Sequence, residues 1–230
     1  VFRLYSWQPY CLSLGNSQNP KSEINELKLQ EDQIDIVKRF TGGRAVLHQN
    51  EITYSVVGLN SFTWASSLKT IYEKISEILL NGLQTLGFQG TLERGDTTEK
   101  NIRGQVAKPC FASTSRSELV FDTKKLVGSA QRRTRRGFLQ HGSILLGEGH
   151  ERLPNYLNLT PTEENTFTKS LLANAITLKD ALGYEPSWEA VARSLAQAWS
   201  EFTGAQASPL KISHKGEFEK LLEKYRWESI

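Results

Sequence analysis

The chain has 230 residues, 38% of them hydrophobic and 23% charged, which suits one sizeable soluble domain and excludes collagen-like, disordered and disulfide-scaffold classes. No run approaches the ~20 uncharged apolar residues of a membrane helix, since the longest candidates are broken by Lys74, Glu77 or Glu148, so no membrane partner is expected. A net charge of +3 is too mild to announce a nucleic-acid binder, although local clustering still matters.

The chain opens with Val1-Phe2-Arg3-Leu4-Tyr5, which reads as a strand already under way, and it contains no Met, so a further N-terminal segment is expected to precede it. Further strands are expected over Ile34–Phe40, Glu51–Val57, Glu118–Asp122, Lys125–Gln131 and Gly137–Leu146, each rich in β-branched or aromatic residues. Between them, Ser66–Leu86 places Leu68, Ile71, Ile75, Ile78, Leu79, Leu83 and Leu86 at steps of three and four, with charged residues mostly opposite, which predicts an amphipathic helix. Past Gly149 the composition turns helical. Thr160-Pro161-Thr162-Glu163 carries a capping oxygen, a proline at the first helical position and a glutamate three residues after the cap. Ser187-Trp188-Glu189 opens another helix that Gly204 should stop, and a last one is predicted over Gly216–Trp227. The expected architecture is α+β with mixed β-sheets flanked by helices. Residues 1–150 are expected to form a catalytic core, and 151–230 a helical extension packed on the same domain.

Three segments could carry chemistry. In Arg39-Phe40-Thr41-Gly42-Gly43-Arg44-Ala45-Val46-Leu47-His48, two glycines after a strand let backbone approach a ligand, and the arginines can hold an anionic or carbonyl group; a tight connection between strands needs the same residue types. In Lys124-Lys125-Leu126-Val127-Gly128-Ser129-Ala130-Gln131, the small residues make room in an apolar strand, enough for a slender acyl chain, or else mark a bulge or close crossing. The turn that follows, with Arg132, Arg133, Arg135 and Arg136, is strongly basic: either a solvated tip or a docking patch for an acidic partner. Cys110 follows Pro109. A lone cysteine is more often a small buried hydrophobe than a nucleophile, and a nearby ammonium such as that of Lys125 would change the odds by stabilising the thiolate. Cys11 has no such neighbour in sequence and reads as packing. Neither cysteine has metal-ligand or disulfide-framework spacing, so no metal is expected, and a reducing, cytoplasmic compartment is.

In order, these segments resemble the biotin/lipoate ligase-like superfamily, and within it the lipoate-biosynthetic octanoyltransferases. RFTGGRAVLH with EITYSVV is similar to the family's Gly-Gly substrate loop and next strand, while PCF, KLVGSAQ and LQHGSILL resemble its cysteine, lysine and following-strand motifs. Trp7-Gln8-Pro9, Ser13-Leu14-Gly15, Leu182-Gly183 and Ser187–Ala192 extend the resemblance over nearly the whole chain. ATP-dependent lipoate ligases usually have a third glycine where Arg44 stands and lack the cysteine at Cys110. Amidotransferase relatives use a cysteine but lack the GGRAVLH form. Both features favour the transferase.

The resemblance implies that Cys110 takes octanoyl from acyl carrier protein as a thioester and passes it to a lysine of a lipoyl domain, such as that of the glycine cleavage H protein, without cofactor, ATP or metal. Lys125 would lower the thiol's pKa and hold the acyl carbonyl. Arg39, Gly42, Gly43, Arg44 and His48 would line the entrance, Gly128, Ser129 and Ala130 the acyl tunnel, with His141 nearby. A histidine among apolar strand residues is more often structural than a base. A nucleic-acid reading, with Trp7, Tyr54 and Trp64 as stacking platforms, leaves Cys110 and Lys125 unexplained, so no nucleic-acid partner is expected.

Overall fold

A computed structural model describes residues 1–93, 117–206 and 216. In chain order it contains β1 (Phe2–Tyr5), β2 (Cys11–Leu14), α1 (Pro20–Glu23), α2 (Glu26–Glu31), β3 (Asp35–Lys38), β4 (Val46–His48), β5 (Glu51–Leu59) and α3 (Leu68–Gln84). Then come β6 (Thr91–Leu92), β7 (Leu119–Phe121), β8 (Lys124–Lys125), β9 (Val127–Arg133), β10 (Gly137–Leu145), a 3₁₀ segment (His150–Tyr156), α4 (Pro161–Asn174), α5 (Leu178–Leu182) and α6 (Trp188–Thr203).

The nine-residue strands β5 and β10 pair antiparallel from Glu51↔Leu145 to Leu59↔Gly137, and β1 and β9 extend the sheet to the order β1-β5-β10-β9. Alternation along these strands sends Ile52, Tyr54, Val56, Phe138 and Ile144 to one face, where they pack with Ile71, Ile75, Leu79 and Leu83 of α3 and Val191 and Leu195 of α6. The two helices cross at Gly82, where an added Cβ would lie 3.0 Å from the Leu195 side chain, and Ser194 Oγ donates to the Gly82 carbonyl. The α+β expectation with mixed sheets holds, because β2 pairs β3 in parallel and β4 antiparallel in a second sheet. A separate apolar cluster, including Leu12, Leu14, Leu47, Leu153 and Tyr156, backs that second sheet.

The caps expected at Thr160, Ser187 and Gly204 are present, and the helix expected over Ser66–Leu86 spans Leu68–Gln84. Ser67 caps α3 through Thr70 N, Thr160 and Glu163 form the reciprocal capping box of α4, and Ser187 caps α6, which stops at left-handed Gly204. The helix expected over 216–227 lies outside the described residues apart from Gly216, which is helical. The strand expected over Lys125–Gln131 is two strands. Leu126 donates its N–H to Leu119 of β7 and accepts from Leu145 of β10, so the chain leaves the three-stranded sheet β6-β7-β8 and enters the main sheet at this residue. Lys125 therefore sits at the junction of two sheets.

Candidate active site

The Gly-Gly loop is folded around a guanidinium. Arg39 Nη1 donates to the Ser13 carbonyl at 2.7 Å and to Ser13 Oγ at 2.8 Å, while Nη2 donates to the Arg44 carbonyl at 2.7 Å and reaches that of Gly42 at 3.4 Å. Carbonyls attract a fork of fixed donors, so Arg39 draws residues 42–44 back against the end of β2. Gly43 has a φ of +96°, and the approach is so close that a Cβ on Gly15 would lie 1.9 Å from the Gly43 carbonyl oxygen. Gly42 and Arg44 face solvent. The main sheet grips the same loop: Arg132 Nη1 of β9 donates to the Phe40 carbonyl at 2.7 Å with its guanidinium 3.7 Å above the Phe40 ring, and Thr41 Oγ1 bonds His141 Nε2 at 2.7 Å.

Both predicted histidines are partnered. His48 is buried, bonded through Nε2 to Ser13 Oγ at 2.7 Å and stacked on Trp7 at 4.7 Å. Its Nδ1 faces Thr53 Oγ1 at 3.4 Å and the buried Glu51 carboxylate at 3.6 Å; that carboxylate accepts from Thr53 and from Ser143 Oγ. Burial, helped by the charges of Arg39 and His48, pushes His141 down to about 4, so it is a neutral imidazole near pH 7.

A second group lies on the opposite face of β9 and β10. The Lys125 ammonium and the Glu118 carboxylate are 2.6 Å apart with both side chains 4% exposed, and the Tyr72 hydroxyl donates to the same carboxylate oxygen at 3.3 Å. Glu118, Tyr72, Ser117, Ser129 and Gln131 border a pocket of about 380 Å³, closed on the α3 side by Leu68, Lys69 and Glu73. A polar chain supports its floor: Gln131 Nε2 donates to Gln140 Oε1 at 2.6 Å, Gln140 Nε2 to Tyr54 OH at 3.0 Å, and Tyr54 OH bonds Ser129 Oγ at 2.7 Å. Burial raises the Tyr54 hydroxyl to about 12, so it stays protonated and able to donate.

The predicted residues thus fall into two groups. Arg39, Gly42, Gly43, Arg44, His48, His141 and Arg132 belong to the loop side; strand alternation puts Gly128 and Ala130 on that face and Ser129 on the pocket face, although all three were expected along one tunnel. Cys110 lies outside the described residues. Cys11 is fully buried, and burial, with Asp35 and Glu51 adding to it, pushes its thiol far up, in keeping with a packing role. Of the arginines expected in the basic turn, Arg132 and Arg133 lie in β9, where they pair with Leu139 and Phe138; Arg133 donates through Nε to Asn60 Oδ1 at 3.0 Å and through Nη1 to the Ser66 carbonyl, and Arg135 and Arg136 are exposed at the tip. Sequence reasoning did not single out Glu118, Tyr72, Thr41, Glu51 or Ser13. The one readable signal was a carboxylate directly ahead of an apolar strand, as at Glu118 before Leu119-Val120-Phe121 and Glu51 before Ile52.

The family model of the lipoyl protein ligase A/B catalytic domain matches residues 1–200. The chain belongs to that family. Within it, octanoyltransferase LipM of Kyrpidia tusciae is 38% identical over 231 residues, covering 98% of this chain and 84% of that protein. Octanoyltransferase LipM of Bacillus subtilis is 30% identical over 220 residues, covering 94% and 79%. Solved lipoate ligases of the family share the fold: a bipartite lipoate protein ligase of Thermoplasma acidophilum, solved with its E2 lipoyl domain, has a TM-score of 0.76 at 17% identity over 97% of this chain and 79% of that one. Lipoate-protein ligase A bound with ATP has a TM-score of 0.72 at 19% identity over 97% and 81%. This family member is therefore an enzyme, an acyltransferase of the lipoate-biosynthetic octanoyltransferases, as its motifs implied.

Proposed function

We propose that the enzyme takes octanoyl from octanoyl-acyl carrier protein onto Cys110 and delivers it to the ε-amine of a lysine on a lipoyl domain, such as that of the glycine cleavage H protein. The Cys110 thiolate attacks the thioester carbonyl, the carrier's thiolate leaves and takes a proton, and an acyl-enzyme thioester remains. The acceptor amine then attacks that thioester, loses a proton as the amide forms, and the cysteine thiolate is released. The first step exchanges like for like and the second runs downhill, so neither needs ATP or a metal. Lys125 favours the thiolate by its charge and donates to the carbonyl oxygen as that oxygen becomes negative. A free thiol nucleophile is best preserved in a reducing compartment, so we place the reaction in the cytoplasm.

The observation that carries this reading is a buried Lys125 ion-paired to Glu118, which lines a pocket, in a chain similar over nearly its whole length to named octanoyltransferases. Arg135 and Arg136, with Arg132 and Arg133 behind them, offer an acidic carrier a basic approach. The test is octanoylation of a lipoyl domain by Cys110→Ala, with Cys110→Ser alongside. Both are expected to be inactive and to form no acylated enzyme. Continued transfer by Cys110→Ala would overturn the covalent route, and transfer of free octanoate or lipoate that requires ATP would point to ligase chemistry instead.

A further inference from the structure

We propose that Glu118 is the positioning residue for Lys125: it keeps the ammonium aimed, and Tyr72 steadies it from α3. This rests on the reading that Lys125 donates to the acyl carbonyl. The two side chains meet because β7 and β8 form a tight hairpin, in which Val120 pairs with Lys125 and Glu118 lies at the entry to β7. Neighbouring backbone holds both ends, the Glu93 N–H donating to the Glu118 carbonyl at 2.8 Å and the Ile176 N–H to the Lys125 carbonyl at 3.0 Å.

A lysine side chain has four rotatable bonds, so its ammonium points in a fixed direction only where a partner holds it. A carboxylate at 2.6 Å supplies that partner: it engages one of the three N–H donors and so fixes the direction of the ammonium. Glu118 is confined in turn, since the Tyr72 hydroxyl donates to the same Oε1 that Lys125 uses. Tyr72 also lines the pocket, so the network runs from the pocket wall on α3 through the carboxylate to the ammonium. Glu118 acts through Lys125.

The test is a double-mutant cycle on octanoyl transfer, using Glu118→Gln, Lys125→Met and the double variant, with kcat and KM measured separately and folding followed by circular dichroism. Lys125→Met is expected to lose about 10²–10³ in kcat, the usual effect of removing such a donor. Glu118→Gln is expected to lose about 10- to 100-fold in kcat with KM changed less than about twofold, as for a misaimed group, and to add nothing in the Lys125→Met background. Wild-type kcat in Glu118→Gln, or losses that multiply in the double variant, would overturn the positioning role. Wild-type kcat in Lys125→Met would instead overturn the catalytic reading of Lys125. If Glu118→Gln does not fold, the cycle is run with Tyr72→Phe, expected to lower kcat about threefold to tenfold only when Lys125 is present. An equal loss in both backgrounds would show that Tyr72 serves the pocket alone, and would count against the proposal.

Discussion

Replacing Gly15 by alanine should damage the enzyme through a loop 28 residues away in sequence. The added Cβ would lie 1.9 Å from the Gly43 carbonyl oxygen and 2.8 Å from its carbon, whereas ordinary contact begins near 3.4 Å, so the two backbones must part by about 1.5 Å. Neither side is a flexible side chain: Gly15 continues β2, and Gly43 is held by the Arg39 bonds to its neighbours Gly42 and Arg44. Overpacking of this kind costs about 1–3 kcal/mol, which lowers the melting temperature by a few to about ten degrees in a chain of this size. If this loop lines the substrate entrance as proposed, displacing it by an ångström or more should also cost about 10²-fold in kcat/KM. Gly42→Ala is the control, because its Cβ would meet nothing within 4 Å. Thermal unfolding and octanoyl transfer by both variants decide the matter. Gly15→Ala with wild-type melting and turnover, or Gly42→Ala with the larger loss of melting temperature, would refute the reasoning.

Further outcomes are expected elsewhere. His141 takes a proton at about 4 in the folded protein and near 6.5 when unfolded, so the unfolded state binds the extra proton between these values and stability falls as pH drops through that window. Relative to His141→Gln, the wild type should lose about 2 kcal/mol between pH 7.5 and 5 in denaturant titrations; parallel pH dependences would contradict this. Iodoacetamide should modify the folded protein once, at Cys110, and leave Cys11 untouched until unfolding, as peptide mapping will report; early modification of Cys11 would contradict its burial. Arg135→Glu with Arg136→Glu should slow association with the acyl carrier and flatten its salt dependence while leaving turnover at saturation unchanged. Arg132→Ala should lower the melting temperature, because it releases the Phe40 carbonyl and ring. Stopped-flow binding at several salt concentrations and thermal unfolding check these two.

Features with a local cause were legible in the sequence. Thr160 and Ser187 announce helix starts, Gly204 a stop, and the β9–β10 hairpin follows from two strand-like runs joined by a basic turn, although β9 runs on through Arg132 and Arg133, which pair with Leu139 and Phe138. Features set by tertiary partners were not. Nothing local tells the run after Lys125 to change sheets at Leu126, because the hydrogen bonds that split it come from Leu119 and Leu145. Strands β2 and β4, four and three residues long, are too short for alternation to register. In the site, the Arg39 side chain, expected to line the entrance, also organises the loop that carries Gly42 and Gly43, since its fork matches nearby carbonyls that only the fold brings together. The Lys125–Glu118 pair spans just seven residues, yet a carboxylate ahead of an apolar strand reads as a solvated strand end until the hairpin buries it.

The most direct measurement is the intact mass of the enzyme after brief mixing with octanoyl-acyl carrier protein, with no acceptor present, followed by peptide mapping. The account predicts one octanoyl group, held as a hydroxylamine-sensitive thioester on the peptide containing Cys110 and discharged when a lipoyl domain is added. An enzyme of unchanged mass that nevertheless octanoylates the lipoyl domain, or an adduct on any other residue, would contradict it.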